Sequence, residues 1–232
     1  LKLRPLAYKV HPYRWATIGI SPEHIERARL EDVEAFFHRY YAPDNAIIAI
    51  SGNIEENRAL ELVIKWFGDI PPSHATSPVI PQEPVQPEER RLVSEGNAVP
   101  ADAIYKVFHM GKRDSDNFYA CDIISDILSN GQSARLYVNL IKNSRLFSGI
   151  DAYITGDMDP GLFIFSGKLS EGTDIRQAEA AIDSEIEKFI RDSITERELQ
   201  KVINKTEARI SYSEINYQNK ACNLAFFEFL GD

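Results

Sequence analysis

The stretch IDAYITGDMDPGLFIFSGKL, residues 150–169, decides the architecture. Its two ends, IDAYITG and GLFIFSGKL, are rich in β-branched and aromatic residues, and each is too short for an ordinary helix. Between them Asp157-Met158-Asp159-Pro160-Gly161 gathers turn-forming residues: proline presets one dihedral, aspartate bonds its own backbone, and glycine tolerates unusual angles. Two strand-forming runs around such a connection predict an antiparallel hairpin.

Outward from the hairpin, RRLVSE (90–95) and AIYKVFHM (103–110) read as further strands. Phe118, Cys121, Ile124 and Leu128 recur at helical spacing and predict a helix from Asp116 to Asn130, with a second over Ala134 to Lys142. Two long helices follow. The first carries Ile175, Ala178, Ile182, Ile186 and Phe189. The second opens on the capping box Thr195-x-x-Glu198 and carries Leu199, Val202, Ile203 and Ile210. NKACNLAFFEFLGD, residues 219–232, is again helical in pattern.

Toward the N-terminus, Ser21-Pro22 starts a short helix, and Val33, Phe36, Phe37, Tyr40 and Tyr41 mark a stronger one from about Leu30, stopped by Pro43. AIIAISG (46–52) suits a strand buried on both faces. Leu60, Val63, Ile64 and Phe67 then outline a helix closed by Gly68. Strands in one region and helix pairs in another predict an α+β fold, with antiparallel sheets covered by helices.

PPSHATSPVIPQEPVQPEE, residues 71–89, holds six of the twelve prolines. Proline lacks the N–H donor and restricts the residue before it, so this segment cannot enter a helix or a central strand. It is read as a linker between a first domain, residues 1–70, and a second, residues 90–232.

At 232 residues and 44% hydrophobic content the chain can bury a core. A net charge of −9, without a basic run interleaved with aromatics, argues against nucleic acid as a partner. No apolar run approaches the ~20 residues that a membrane-spanning helix requires. Cys121 and Cys222 lie far apart in apolar-periodic stretches and are expected to be buried, inert thiols.

The five histidines are His11, His24, His38, His74 and His109. A helical zinc site needs two of them three or four residues apart with a carboxylate nearby, and no such pair occurs. His11 is the best catalytic candidate by position, but hydrogen bonding by its imidazole to the surrounding loop is the preferred reading. No Gly-x-Ser-x-Gly elbow is present. SNGQSARL (129–136) could seat an anion at a helix start, but it lacks the glycine spacing and lysine of a phosphate loop, which favours a plain helix cap. The carboxylates fall almost entirely on helix faces expected to be solvated.

Taken together, HPYRWATIG (11–19), RLEDVEAFFHRYYAPDNAIIAISGNI (29–54) and ALELVIKWFGDIP (59–71) resemble, in order and spacing, the latter part of the first domain of the pitrilysin/insulinase family of zinc metallopeptidases. The landmarks are His11-Pro12-Tyr13, Gly19, Asp32, Tyr40-Tyr41, Pro43, Asn45-Ala46, Gly52, and Phe67-Gly68 through Pro71. ILSNGQSARLYVNLIKNSRLF (127–147) is similar to a second-domain segment of that family in which glycine and serine precede Arg-Leu-Phe/Tyr and a helix.

The resemblance implies two related domains forming a metallopeptidase-like half shell, the first truncated at its N-terminus. It places the inverted zinc motif His-x-x-Glu-His and the later glutamate ligand before Leu1. His11 is then no zinc ligand, and zinc belongs to the parent protein, with none expected in this chain. The implied function is a zinc endopeptidase that cleaves peptides or unfolded polypeptides in an enclosed chamber, like a mitochondrial processing peptidase, with this part forming chamber wall and substrate surface. A homo- or heterodimer with a related subunit encloses the chamber. The alternative is a non-catalytic partner or structural subunit of the same family. Arg135 and Tyr137 are the candidates to contact peptide carbonyls, and Tyr13 and Arg14, by position alone, are candidates for the chamber wall and substrate surface; none is expected to be catalytic or to bind metal. The sequence departs from the family at Ser148, where many short members carry a tyrosine.

Overall fold

In a computed structural model, residues 2–96 and 99–231 are described. The helices are α1 (Leu3–Ala7), α2 (Pro22–Arg27), α3 (Leu30–Tyr40), α4 (Glu56–Phe67), α5 (Asp116–Ser129), α6 (Ile175–Asp192), α7 (Glu196–Ser213) and α8 (Tyr217–Leu230). The strands are β1 (Ala103–His109), β2 (Phe147–Ile154) and β3 (Leu162–Leu169). The chain divides into two compact units: Leu1–Glu88 with Ala208–Asp232, here called the helical unit, and Glu89–Glu207, the sheet unit. No helix among the described residues is long and apolar enough to cross a membrane.

The sheet unit bears out the α+β reading. Its sheet has the order β1-β3-β2, antiparallel throughout, and the hairpin predicted from residues 150–169 is the β2–β3 pair. Register runs from Ile150 opposite Gly167 to Ile154 opposite Phe163. Because side chains alternate along a strand, Ile150, Ala152 and Ile154 share one face, and there they meet Phe163, Phe165 and Leu169 of β3. Leu128 of α5, Leu136 and Leu140, and Ala178 and Ile182 of α6 close over that face. Lys106 on the edge strand β1 pairs with Asp183 of α6, tying the sheet to its helical cover.

In this core the Phe147 ring packs closely against the backbone of Gly167. A Cβ on Gly167 would lie 2.5 Å from one carbon of the Phe147 ring and 2.8 Å from another. Glycine is required there because the ring occupies the space of any larger side chain.

Two expected strands are absent. Residues 46–52 and 90–95 join no ladder among the described residues, although Ala46 has extended dihedrals. An apolar run becomes a strand only when a neighbour accepts and donates its backbone hydrogen bonds. Arg91 is instead fastened by its side chain, donating to Glu179 of α6 at 2.6 and 3.0 Å. The helix expected over Ala134 to Lys142 also differs. Over Tyr137–Asn143 it is a π-helix, and at its end the Ser144 N–H donates to the Asn139 carbonyl five residues back.

In the helical unit the amphipathic periods of α3 and α4 are realised, but their apolar side chains stand open: Phe36, Leu60 and Trp66 are all exposed. Cys222 on α8 is exposed and Cys121 is half-buried, against the expectation of two buried thiols. α8 has no layer packed tightly enough to bury any of its residues, so apolar spacing alone did not bury the thiol.

The proline-rich segment contains no helix or strand, as its composition requires. Two carboxylates nevertheless pin it. Asp44 accepts the N–H groups of Ser73 and His74 at 3.0 and 2.8 Å. Glu83, inside the segment, accepts those of Lys9, Val10 and His11 at 2.7, 2.8 and 2.9 Å.

Replacing Gly167 by Ala is expected to cost about 1–3 kcal/mol of stability, the usual range for overpacking a core. Gly149→Ala, where no atom lies within 4 Å of the added carbon, is the control and stays near wild type. Urea midpoints at unchanged slope measure both.

Candidate functional site

The sequence-derived site residues lie in two places, one in each unit. In the helical unit, His11 caps a 3-10 turn, Pro12–Arg14, its Nδ1 accepting the Tyr13 N–H at 3.1 Å. His11 is buried, with its ring centroid 5.8 Å from Tyr8 and 4.3 Å from Tyr13. This agrees with the structural reading of that histidine. Tyr13 is half-buried within the same aromatic cluster. Arg14 is exposed; it donates to the Lys9 carbonyl at 3.1 Å, and its guanidinium lies over Trp15, 4.8 Å from the ring centre.

In the sheet unit, Arg135 sits at the start of the helical turn that leads into the π-helix. Its Nε donates to one Glu198 oxygen at 2.7 Å and its Nη2 to the other at 2.8 Å, a bidentate fork. Nη2 also donates to the Ser193 carbonyl at 2.8 Å, and the guanidinium lies 5.0 Å from the Phe189 ring centre. Most of the donor capacity of Arg135 is therefore spent inside the unit, and Nη1 is left toward any further partner. Tyr137, two residues on, is half-buried at the first position of the π-helix.

Glu198 is the partner that residue patterning foresaw only in half. The capping box is present: Thr195 donates to Glu198 from its N–H at 2.9 Å and from its hydroxyl at 2.8 Å, and the Glu198 N–H returns to the Thr195 hydroxyl at 3.3 Å. The same carboxylate also takes the arginine from 63 residues earlier. The hydrogen bonds from Arg135 first, and then from Thr195, outweigh partial burial and lower the Glu198 carboxyl to about 2. Glu198 in turn raises the Arg135 guanidinium.

Sequence reasoning missed Glu185. It was grouped with solvated carboxylates, yet it is buried on α6, accepting from Asn139 Nδ2 at 2.6 Å and from Lys188 Nζ at 2.7 Å. No spacing rule marks it, because the asparagine that covers it comes from the π-helix 46 residues away.

Among the described residues no group of three His, Cys, Asp or Glu side chains is placed to hold a metal ion. The described residues bring together no ligand set that would hold zinc.

This arrangement of a small antiparallel sheet under helices is shared with solved peptidase structures. The crystal structure of a protease from Helicobacter pylori matches all of this chain and 56% of its own, at a TM-score of 0.87 and 24% identity. A chain of the Complex III2 structure from Candida albicans matches 97% of this chain and 54% of its own, at a TM-score of 0.70 and 16% identity. In sequence, the zinc protease PqqE of Helicobacter pylori is 28% identical over 203 residues, which is 84% of this chain and 44% of that protein. The chain thus spans less than half the length of that relative. The family described as the Peptidase M16 inactive domain matches residues 27–206. The chain belongs to the M16 peptidase family through that domain, as the resemblance to zinc metallopeptidases implied. The match runs through the proline-rich segment and into both units.

The depressed Glu198 carboxyl sets an acid dependence. Unfolded, the group titrates near 4.5; folded, near 2. Its contribution to stability is complete above 4.5 and is lost as pH falls toward 2. Glu198→Gln should lower the melting temperature at neutral pH, and the gap to wild type should close over that acid interval. Thermal melts across the interval measure it.

Proposed function

We propose that this chain is the non-metal portion of a zinc endopeptidase, in which it forms chamber wall and peptide-binding surface. The observation that carries the reading is the match of residues 27–206 to the M16 inactive domain in a chain whose described residues hold no metal-ligand cluster. A relative bearing the name zinc protease, more than twice as long as the matched part, supports a parent in which the metal lies elsewhere. In this reading the chain alone is expected not to cleave peptides, because its described residues gather no metal ligands that could polarise a peptide carbonyl.

In this reading residues 1–70 and 90–232 belong to two related domains joined by 71–89. The Arg135 fork holds the loop before the π-helix against the start of α7, leaving Nη1 of Arg135 and the Tyr137 hydroxyl to donate to peptide carbonyls. Tyr13 and Arg14, in the helical unit, are proposed as further contacts for the polypeptide. The partner is an unfolded polypeptide, with a homologous subunit completing the enclosure.

The second reading, a non-catalytic structural subunit, is favoured by one observation, the occurrence of the same fold in a chain of the Complex III2 structure.

Two proteins separate these readings: the 232-residue chain and the intact protein that contains it. The peptidase reading expects chelator-sensitive cleavage of an internally quenched peptide by the intact protein, alone or mixed with its homologous subunit. It expects none from the chain alone. In the intact protein Arg135→Lys, which keeps charge but loses the fork, should raise KM more than it lowers kcat. Cleavage by the isolated chain would overturn the assignment, and an intact protein silent in both settings would establish the structural subunit.

A further inference from the structure

The sheet unit contains a pocket of about 460 Å³ between the π-helical segment and α6, within the ~300–1,000 Å³ typical of small-ligand sites. Its floor is apolar: Leu140, Leu146 and Ala181. Its polar groups include Asn139, Glu185 and Lys188. Glu185 is only 5% exposed, so its charge has lost nearly all contact with bulk water and depends on hydrogen-bond donors. It has one donor on each oxygen, Asn139 Nδ2 and Lys188 Nζ. An ionised carboxylate has about four acceptor positions, so roughly half remain unused.

Lys188 is a replaceable partner. Its side chain is 48% exposed, it reaches Glu185 from one turn away on the same helix, and its ammonium is a strongly hydrated point charge on a flexible stem. The backbone beside the pocket is also irregular in two independent ways. The π-helix places Asn139 and Leu140 in the lining, and Arg145, between the lining residues Ser144 and Leu146, has a left-handed φ of 55°. Both irregularities concentrate at sites of binding or catalysis in proteins generally.

We propose that this pocket binds the guanidinium side chain of an arginine in a basic polypeptide. The planar fork satisfies both Glu185 oxygens and turns Lys188 out to solvent, and the methylene stem lies on Leu140, Leu146 and Ala181. A cation is selected because the most buried polar group in the pocket is a carboxylate. The net charge of −9 on the chain adds longer-range attraction for a basic segment. The site lies wholly within the sheet unit and stands whether or not the parent is a peptidase.

The test is titration of N-acetyl-L-arginine methylamide into the intact 232-residue chain, followed by the side-chain amide resonances of Asn139 and Asn143. Saturable one-site binding is expected. Glu185→Gln should weaken it at least about tenfold, the loss of a charge-assisted fork. Lys188→Met, which removes the competing ammonium, should tighten it, and the neutral citrulline analogue should not bind. Failure of both wild type and Lys188→Met to saturate, or equal binding of citrulline, overturns the proposal. If Glu185→Gln does not fold, Ala181→Phe on the pocket floor replaces it; binding that survives a filled floor also overturns the assignment.

Discussion

The sheet unit depends on the approach of the Phe147 ring to the bare backbone of Gly167. β3 is the central strand, so it must accept hydrogen bonds from β1 and β2 while presenting a face flat enough for helices to cover. Phe147 opens β2 at an irregularity in the register between Phe147 and Gly149, which lets its ring swing over β3. From that contact Leu169 at one end, and Ile150 with Ala152 at the other, fall into the same buried layer. The helices follow because Leu140, Ala178 and Ile182 have that layer to cover.

What was legible in the sequence was whatever a short stretch could settle by itself. The hairpin at residues 150–169, α5 and the Thr195-x-x-Glu198 cap each carry their signal within one or two turns of chain, and the structure contains all three. AIIAISG failed for the opposite reason. A strand is a relation between two segments, and an apolar run of seven residues specifies only one of them. The π-helix was unreadable for a related cause. Its C-terminal end is closed by the bonds that Ser144 and Leu146 make back to Asn139 and Leu140, where the chain turns into β2, and nothing in the periodicity of YVNLIKN signals them.

The candidate site divides in the same way. Arg135 drew attention because it lies in a family landmark, and in the structure it stands at the start of a helical turn. Glu198 was found as a cap but not as the partner of Arg135, since an ion pair across 63 residues leaves no trace in spacing. One carboxylate thus serves two elements: it starts α7 and holds the loop that leads into the π-helix. A substitution there would loosen both at once, and the two effects would not add as independent ones do.

Glu185 completes this logic. A carboxylate whose own helix neighbour Lys188 is long, charged and half-exposed would serve a purely structural role more simply at the surface. Its two hydrogen bonds, from the Asn139 amide and the Lys188 ammonium, take the place of the water that burial removes. A well-packed apolar residue at the same position would cost less, as replacements of buried ion pairs in other proteins indicate. The carboxylate lies beside an irregular helix and an open pocket. A carboxylate so placed is open to a cation entering the pocket, which is the role proposed for it.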